Sequence, residues 1–94
     1  MNLEKSKKRI AKKVKMGFHG YPTIGITYFG PSEDLATEVS LELIQEEGAA
    51  PQTEKFSTKG DIREDETIQS AIVKMIERSG VQSVTLSEGV KLTQ

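Results

Sequence analysis

At 94 residues, with 35% apolar and 29% charged side chains, the chain has material for one small core and for no second one. It has no cysteine, which excludes disulfide scaffolding, thiol nucleophiles and thiolate metal sites and fits a reducing, cytoplasmic compartment. No stretch approaches the ~18 apolar residues of a membrane span, and Lys5 to Lys15 has no apolar core of a secretory signal, so a soluble protein is expected.

The net charge of −1 conceals a separation of sign. Residues 1–16 carry Lys5, Lys7, Lys8, Arg9, Lys12, Lys13 and Lys15 against Glu4 alone, a net +6, which leaves −7 on residues 17–94. The only apolar side chains from Leu3 to Val14 are Leu3, Ile10, Ala11 and Val14, a thin stripe among like charges. Residues 1–16 therefore read as a basic, partly disordered arm, and 17–94 as a single α/β domain.

Gly17 to Pro22, with two glycines, a proline and two aromatics, has the composition of a loop. Thr23 to Phe29 is β-branched and aromatic, with Ile24, Ile26 and Tyr28 on one face, and predicts a central strand in which Gly25 admits a close neighbour. Gly30-Pro31 ends it. Ser32 then reads as an N-cap, with Glu33 and Asp34 in a first turn, for a helix whose face is Leu35, Ala36, Val39, Leu43 and Ile44. Gly48 closes that helix, and Gln52 to Thr58 predicts an edge strand with Phe56 as its one strongly apolar residue.

Asp61 and Glu64 have the spacing of a capping box, and Ile68, Ala71, Ile72, Met75 and Ile76 follow a helical template up to Gly80. Val81 to Leu86 predicts a third strand, followed by a turn at Ser87-Glu88-Gly89 that leaves Val90 and Leu92 for a short final strand or a fraying tail. The resulting β-α-β-α-β order argues for an α/β domain of three, or with the last segment four, strands, mainly parallel, in the order 2-1-3. The alternative is a ferredoxin-like α+β fold with an extra strand near Ser57 to Ile62 and both helices on one face.

Several residues invite a functional reading. The turn at Gly30, Pro31 and Ser32 sits where open sheets bind ligands, yet Pro31 lacks an N–H and the two acids repel an anion. His19 and Tyr21 lie in the glycine-rich loop and make a candidate ligand-binding pair with Gly30 and Ser32 at the strand ends. A triad of Ser32, His19 and Asp34 has no supporting motif. Asp61, Glu64, Asp65 and Glu66 are explained by helix capping, so neither a metal nor another cofactor is expected. The seven cations of the arm are the candidate contacts to nucleic acid.

The reading that follows leans away from an enzyme, toward a non-enzymatic binding or assembly module that engages a protein partner or a second copy of itself. An accessory nucleic-acid binder acting through the arm is one alternative. A small ligand-binding or enzymatic domain near His19 and Ser32 is the other.

Overall fold

The computed structural model describes residues 2–93; Met1 and Gln94, at the outer limits of the expected arm and domain, lie outside the described residues. The order of elements is α1 (Leu3–Met16), β1 (Thr23–Gly30), β2 (Glu38–Ile44), β3 (Gln52–Ser57), a single 3-10 turn (Ile62–Glu64), α2 (Glu66–Arg78) and β4 (Ser83–Leu92). The four strands form one mixed sheet in the order β3-β2-β1-β4. The pairs β1–β2 and β2–β3 are antiparallel, and β1–β4 is parallel. The molecule is thus a small α+β domain of two helices on a four-stranded sheet. The first strand is central and pairs in parallel with the strand after α2, as expected, but β2 is inserted between it and the edge strand, so the 2-1-3 order becomes β3-β2-β1-β4 and the mainly parallel pairing is corrected to one parallel and two antiparallel pairs. Of the ferredoxin-like alternative, the α+β class and the placing of both helices on one face are found, but its order of elements is not, because one helix precedes β1, none lies between β1 and β2, and residues 62–64 form a 3-10 turn in place of the extra strand.

The difference originates at residues 38–44, expected as helix and found as β2. Val39 and Leu43 are four apart, a spacing that keeps both on one face of a helix and equally on one face of a strand. Leu41 separates the two readings. In a helix it lies about 200° from Val39, whereas in a strand it shares the face. Val39 and Leu41 are both buried, opposite Tyr28 and Ile26 of β1, with Leu43 half-buried opposite Ile24.

The core lies between the sheet and one layer of helices. Ile24, Ile26, Tyr28, Val39, Leu41, Val84 and Val90 come from the sheet, and Ile10, Ile72, Val73 and Ile76 come from the helices. The opposite face of β1, bearing Thr23, Gly25, Thr27 and Phe29, stays half-exposed, so the sheet is covered on one side only. This is the alternation of a one-sided sheet in place of the two-sided burial that a parallel sheet requires.

The segment expected as an arm is α1, docked on α2 and β4. Asn2 caps it by accepting from Lys5 N–H, and its docking stripe is Ser6 and Ile10 with Leu3 and Val14 half-buried. Ser6 is fully buried with its Oγ 3.1 Å from Ser70 Oγ, so the two helices approach through small residues. α2 starts one turn later than the Asp61 cap would place it. Asp61 caps the 3-10 turn through Arg63 N–H, and Asp65 caps α2 through Ile68 N–H. β4 runs through the expected turn at Ser87-Glu88-Gly89, which becomes a bulge: Ile26 opposes Leu86 and Tyr28 opposes Val90.

Candidate functional site

The chemistry-bearing residues gather along α1, whose geometry divides its seven cations. Lys7 and Arg9 reach across to the acidic body, with Lys7 Nζ 2.8 Å from Glu64 Oε1 and Arg9 Nη1 2.7 Å from Glu77 Oε1. The Glu64 carboxylate, as hydrogen-bond acceptor and as charge, raises the Lys7 pKa above its ordinary value. Among the described residues Lys5, Lys8, Lys12, Lys13 and Lys15 make no ion pair. Four of them, Lys5, Lys8, Lys12 and Lys15, are exposed and spaced by three, four and three residues, which lines them up as one outward ridge.

On the flank of that ridge, residues of α1 and α2 line a groove of ≈ 390 Å³. Its floor is Val73 and Ile76 of α2, and Met16, half-exposed, closes one end. Arg9, Lys12 and Lys13 rim it on the α1 side and Glu77 on the α2 side. Phe18 and Tyr21, just beyond the end of α1, are both exposed and contact each other edge to face, with ring centroids 5.6 Å apart. An apolar floor under a cationic rim is a surface suited to binding, and the two exposed rings follow in the loop after α1.

The four residues singled out as a ligand site are not brought together. His19 and Tyr21 precede β1 and Gly30 and Ser32 follow it, so the eight-residue strand holds the two pairs about 25 Å apart. The His19 ring lies at the end of α1, with Nε2 donating to the Met16 carbonyl at 2.8 Å. Its backbone N–H donates to Ser83 Oγ, which in turn donates to the Gly20 carbonyl, so the loop is pinned over the start of β4. Gly30 is buried because the Leu35–Ala36 backbone passes directly over it. Ser32 is exposed, and its carbonyl accepts from Leu35 N–H inside the β1–β2 connection, so it caps no helix.

A second concave feature, of ≈ 340 Å³, opens on the other flank of α1, between Ile10 and Ala11, Leu86 of β4, and the start of α2. Its floor is Tyr28, buried in the core, whose phenol oxygen accepts from Gln69 Nε2 at 3.2 Å. Burial pushes the Tyr28 pKa up, so the hydroxyl keeps its proton at neutral pH. Arg63 stands beside it, held by Asp61 through Nε at 3.0 Å and Nη2 at 2.7 Å and by the Asp34 carbonyl at 3.2 Å. The guanidinium holds the Asp61 carboxyl below its ordinary value. Sequence reasoning missed this cluster because glutamine reads as polar surface. The signal was present in the helical period, since Gln69 precedes Ile72, Val73 and Ile76 by three, four and seven residues and is itself buried.

No protein-family model matches the chain, and no curated protein or solved structure does so either. Its chemistry has to be argued from its own side chains. Among the described residues no group of three or more His, Asp or Glu side chains is arranged to hold a metal ion, and no helix is long and apolar enough to cross a membrane.

Proposed function

We propose that this chain is a non-enzymatic binding module that holds an acidic, amphipathic segment of a protein partner along α1. The observation that supports it most is the groove between α1 and α2, where Val73, Ile76 and Met16 offer an apolar seat directly below Arg9, Lys12 and Lys13. Apolar anchors on the partner would fill the floor while its carboxylates pair with the Lys12 and Lys13 ammonium groups, which have no ion-pair partner among the described residues. Self-association is the case in which the acidic segment belongs to a second copy, and the −7 charge of residues 17–94 supplies the complement.

The probe is a labelled helical peptide carrying leucines at i, i+3, i+4 and i+7 between glutamates, titrated by fluorescence anisotropy at low and high salt. Binding that weakens with salt, and weakens again in Lys12→Gln/Lys13→Gln protein, is the expected result. Equal binding of a version with glutamine in place of glutamate, or no binding, refutes the reading. Sedimentation of the chain alone reports the self-association case.

A nucleic-acid reading has one observation in its favour: Phe18 and Tyr21 present exposed rings at the end of the lysine ridge, where unpaired bases can stack. The same titration with a short oligouridylate distinguishes the two. RNA binding that drops steeply with salt and is lost in Phe18→Ala/Tyr21→Ala, with no peptide binding, replaces the protein-partner proposal.

A further inference from the structure

The cleft over Tyr28 has an unspent hydrogen-bond donor in its floor. Gln69 Nε2 donates both to the Ile62 carbonyl at 3.1 Å and to the Tyr28 oxygen at 3.2 Å. The carbonyl fixes the orientation of the amide, because reversing it would set Gln69 Oε1 against the Ile62 oxygen. Both N–H groups of that nitrogen are therefore used, and the Tyr28 hydroxyl can only accept from it. The phenolic proton has no acceptor among the described residues, although Tyr28 is only 8% exposed. The cleft is the open space beside it.

Two more donors face the same space. Arg63 spends Nε and Nη2 on Asp61 and Asp34, which holds the guanidinium in place and leaves Nη1 without an acceptor among the described residues. Lys7 Nζ makes one bond, to Glu64. The opposite wall is apolar, formed by Ile10, Ala11 and by Leu86, which is 42% exposed although it lies on the helix-covered face of β4.

We propose that this cleft binds a small monocarboxylate, its carboxylate on the Tyr28 hydroxyl, Arg63 and Lys7, and its compact apolar group against Ile10, Ala11 and Leu86. The volume suits a ligand of branched-chain or single-ring size. The charge selects a single anion. Glu64 also lines the cleft, and with Asp61 it balances Lys7 and Arg63, so the site carries no net charge; a monoanion held by three donors meets that acidic rim with one charge, whereas a phosphate dianion meets it with two and is repelled more. This site is independent of the groove on the other flank of α1, and either can exist without the other.

The test is a ¹⁵N–¹H correlation titration of the full chain with isovalerate, phenylacetate, phenylacetamide and inorganic phosphate, each up to about 20 mM, a range that reaches millimolar affinities. Saturable shifts at Tyr28, Arg63, Gln69 and Leu86 with the carboxylates, and none with the amide, are expected. Tyr28→Phe should weaken binding by about tenfold, as loss of a hydrogen bond to a charged group implies. If that variant does not fold, Leu86→Trp, at the exposed lip, should abolish the shifts in a protein whose spectrum stays dispersed. The proposal is overturned if no carboxylate gives saturable shifts there, if the amide binds equally, if phosphate alone binds, or if both variants bind as wild type does.

Discussion

Replacing Gly30 with alanine tests how the β1–β2 connection is closed. A Cβ at this position would fall inside the van der Waals envelope of the Leu35 carbonyl oxygen, 2.8 Å from the carbonyl carbon and 3.0 Å from Ala36 Cα. The obstruction is backbone, so no side-chain rotation relieves it, and the Leu35–Ala36 peptide must retreat by more than about 1.5 Å to restore ordinary contact. That peptide is held firmly. Ile62 N–H donates to the Ala36 carbonyl, Thr37 N–H to the Phe29 carbonyl, and Thr58 N–H to the Thr37 carbonyl, with Ala36 and Ile62 both fully buried. Losing two of these bonds at about 1 kcal/mol each, together with about 1–3 kcal/mol of overpacking, gives about 3–5 kcal/mol of destabilisation. For a domain of this size the melting temperature should fall by about 15–30 °C, read by circular dichroism. Gly25→Ala is the control: its Cβ would meet only Thr85 Oγ1 at 3.4 Å, so stability should be unchanged or raised by about 0.5 kcal/mol. A Gly30→Ala protein that melts with the wild type would refute the close approach and the hairpin geometry derived from it.

Three further outcomes follow from the packing and charge pattern. Leu41→Ala should cost about 2–5 kcal/mol in urea unfolding and exposed Glu42→Ala under about 0.5, a contrast that vanishes if residues 38–44 are not a strand with Leu41 inward. Ile10→Asp places a carboxylate in the α1 docking site, so hydrogen exchange should speed up along residues 3–16 while β1 and β2 stay protected; unchanged exchange in α1 would contradict its docking. Asp61 has a folded-state pKa below its ordinary 3.8, so its stabilisation is present above that value and lost as pH falls through the lower folded one. Asp61→Asn should therefore cost about 1 kcal/mol at neutral pH, and the gap should close in acid; a gap independent of pH would remove the Arg63 pairing as its cause.

Where the sequence was readable, one periodicity dominated. Ile24, Ile26 and Tyr28 alternate without competition and are β1, while Ile72 and Ile76 with their neighbours fit only a helix and are in α2. Residues 38–44 satisfied two periods at once, and only the inward position of Leu41 decides between them. For α1 the obstacle was chemical. Ser6 reads as polar but its small size lets the helices meet, and the repulsion expected of seven cations is relieved on two sides by Glu64 and Glu77, which are distant in sequence. The cations as a group were legible for the same reason that their division was not, since charge is a property of residues and pairing is a property of the fold. Tyr28 and Gln69 met across 41 positions, and no local pattern announces such a bond.

The parallel pairing of β1 with β4 has a consequence for how the chain reaches this state. Ile24 lies against Val84, sixty positions along the chain, whereas β1, β2 and β3 are joined through short connections and can zip as successive hairpins. Closing a loop of that length carries a larger entropic cost before any contact repays it, so the meander is favoured to assemble first and β4 to arrive after α2 has folded and brought it round. Since α1 rests on both α2 and β4, it acquires its full set of contacts only after β4, which follows it by more than sixty residues, has been made. The basic helix is therefore least constrained while the chain is being synthesised, and its lysines become a fixed ridge only in the finished molecule.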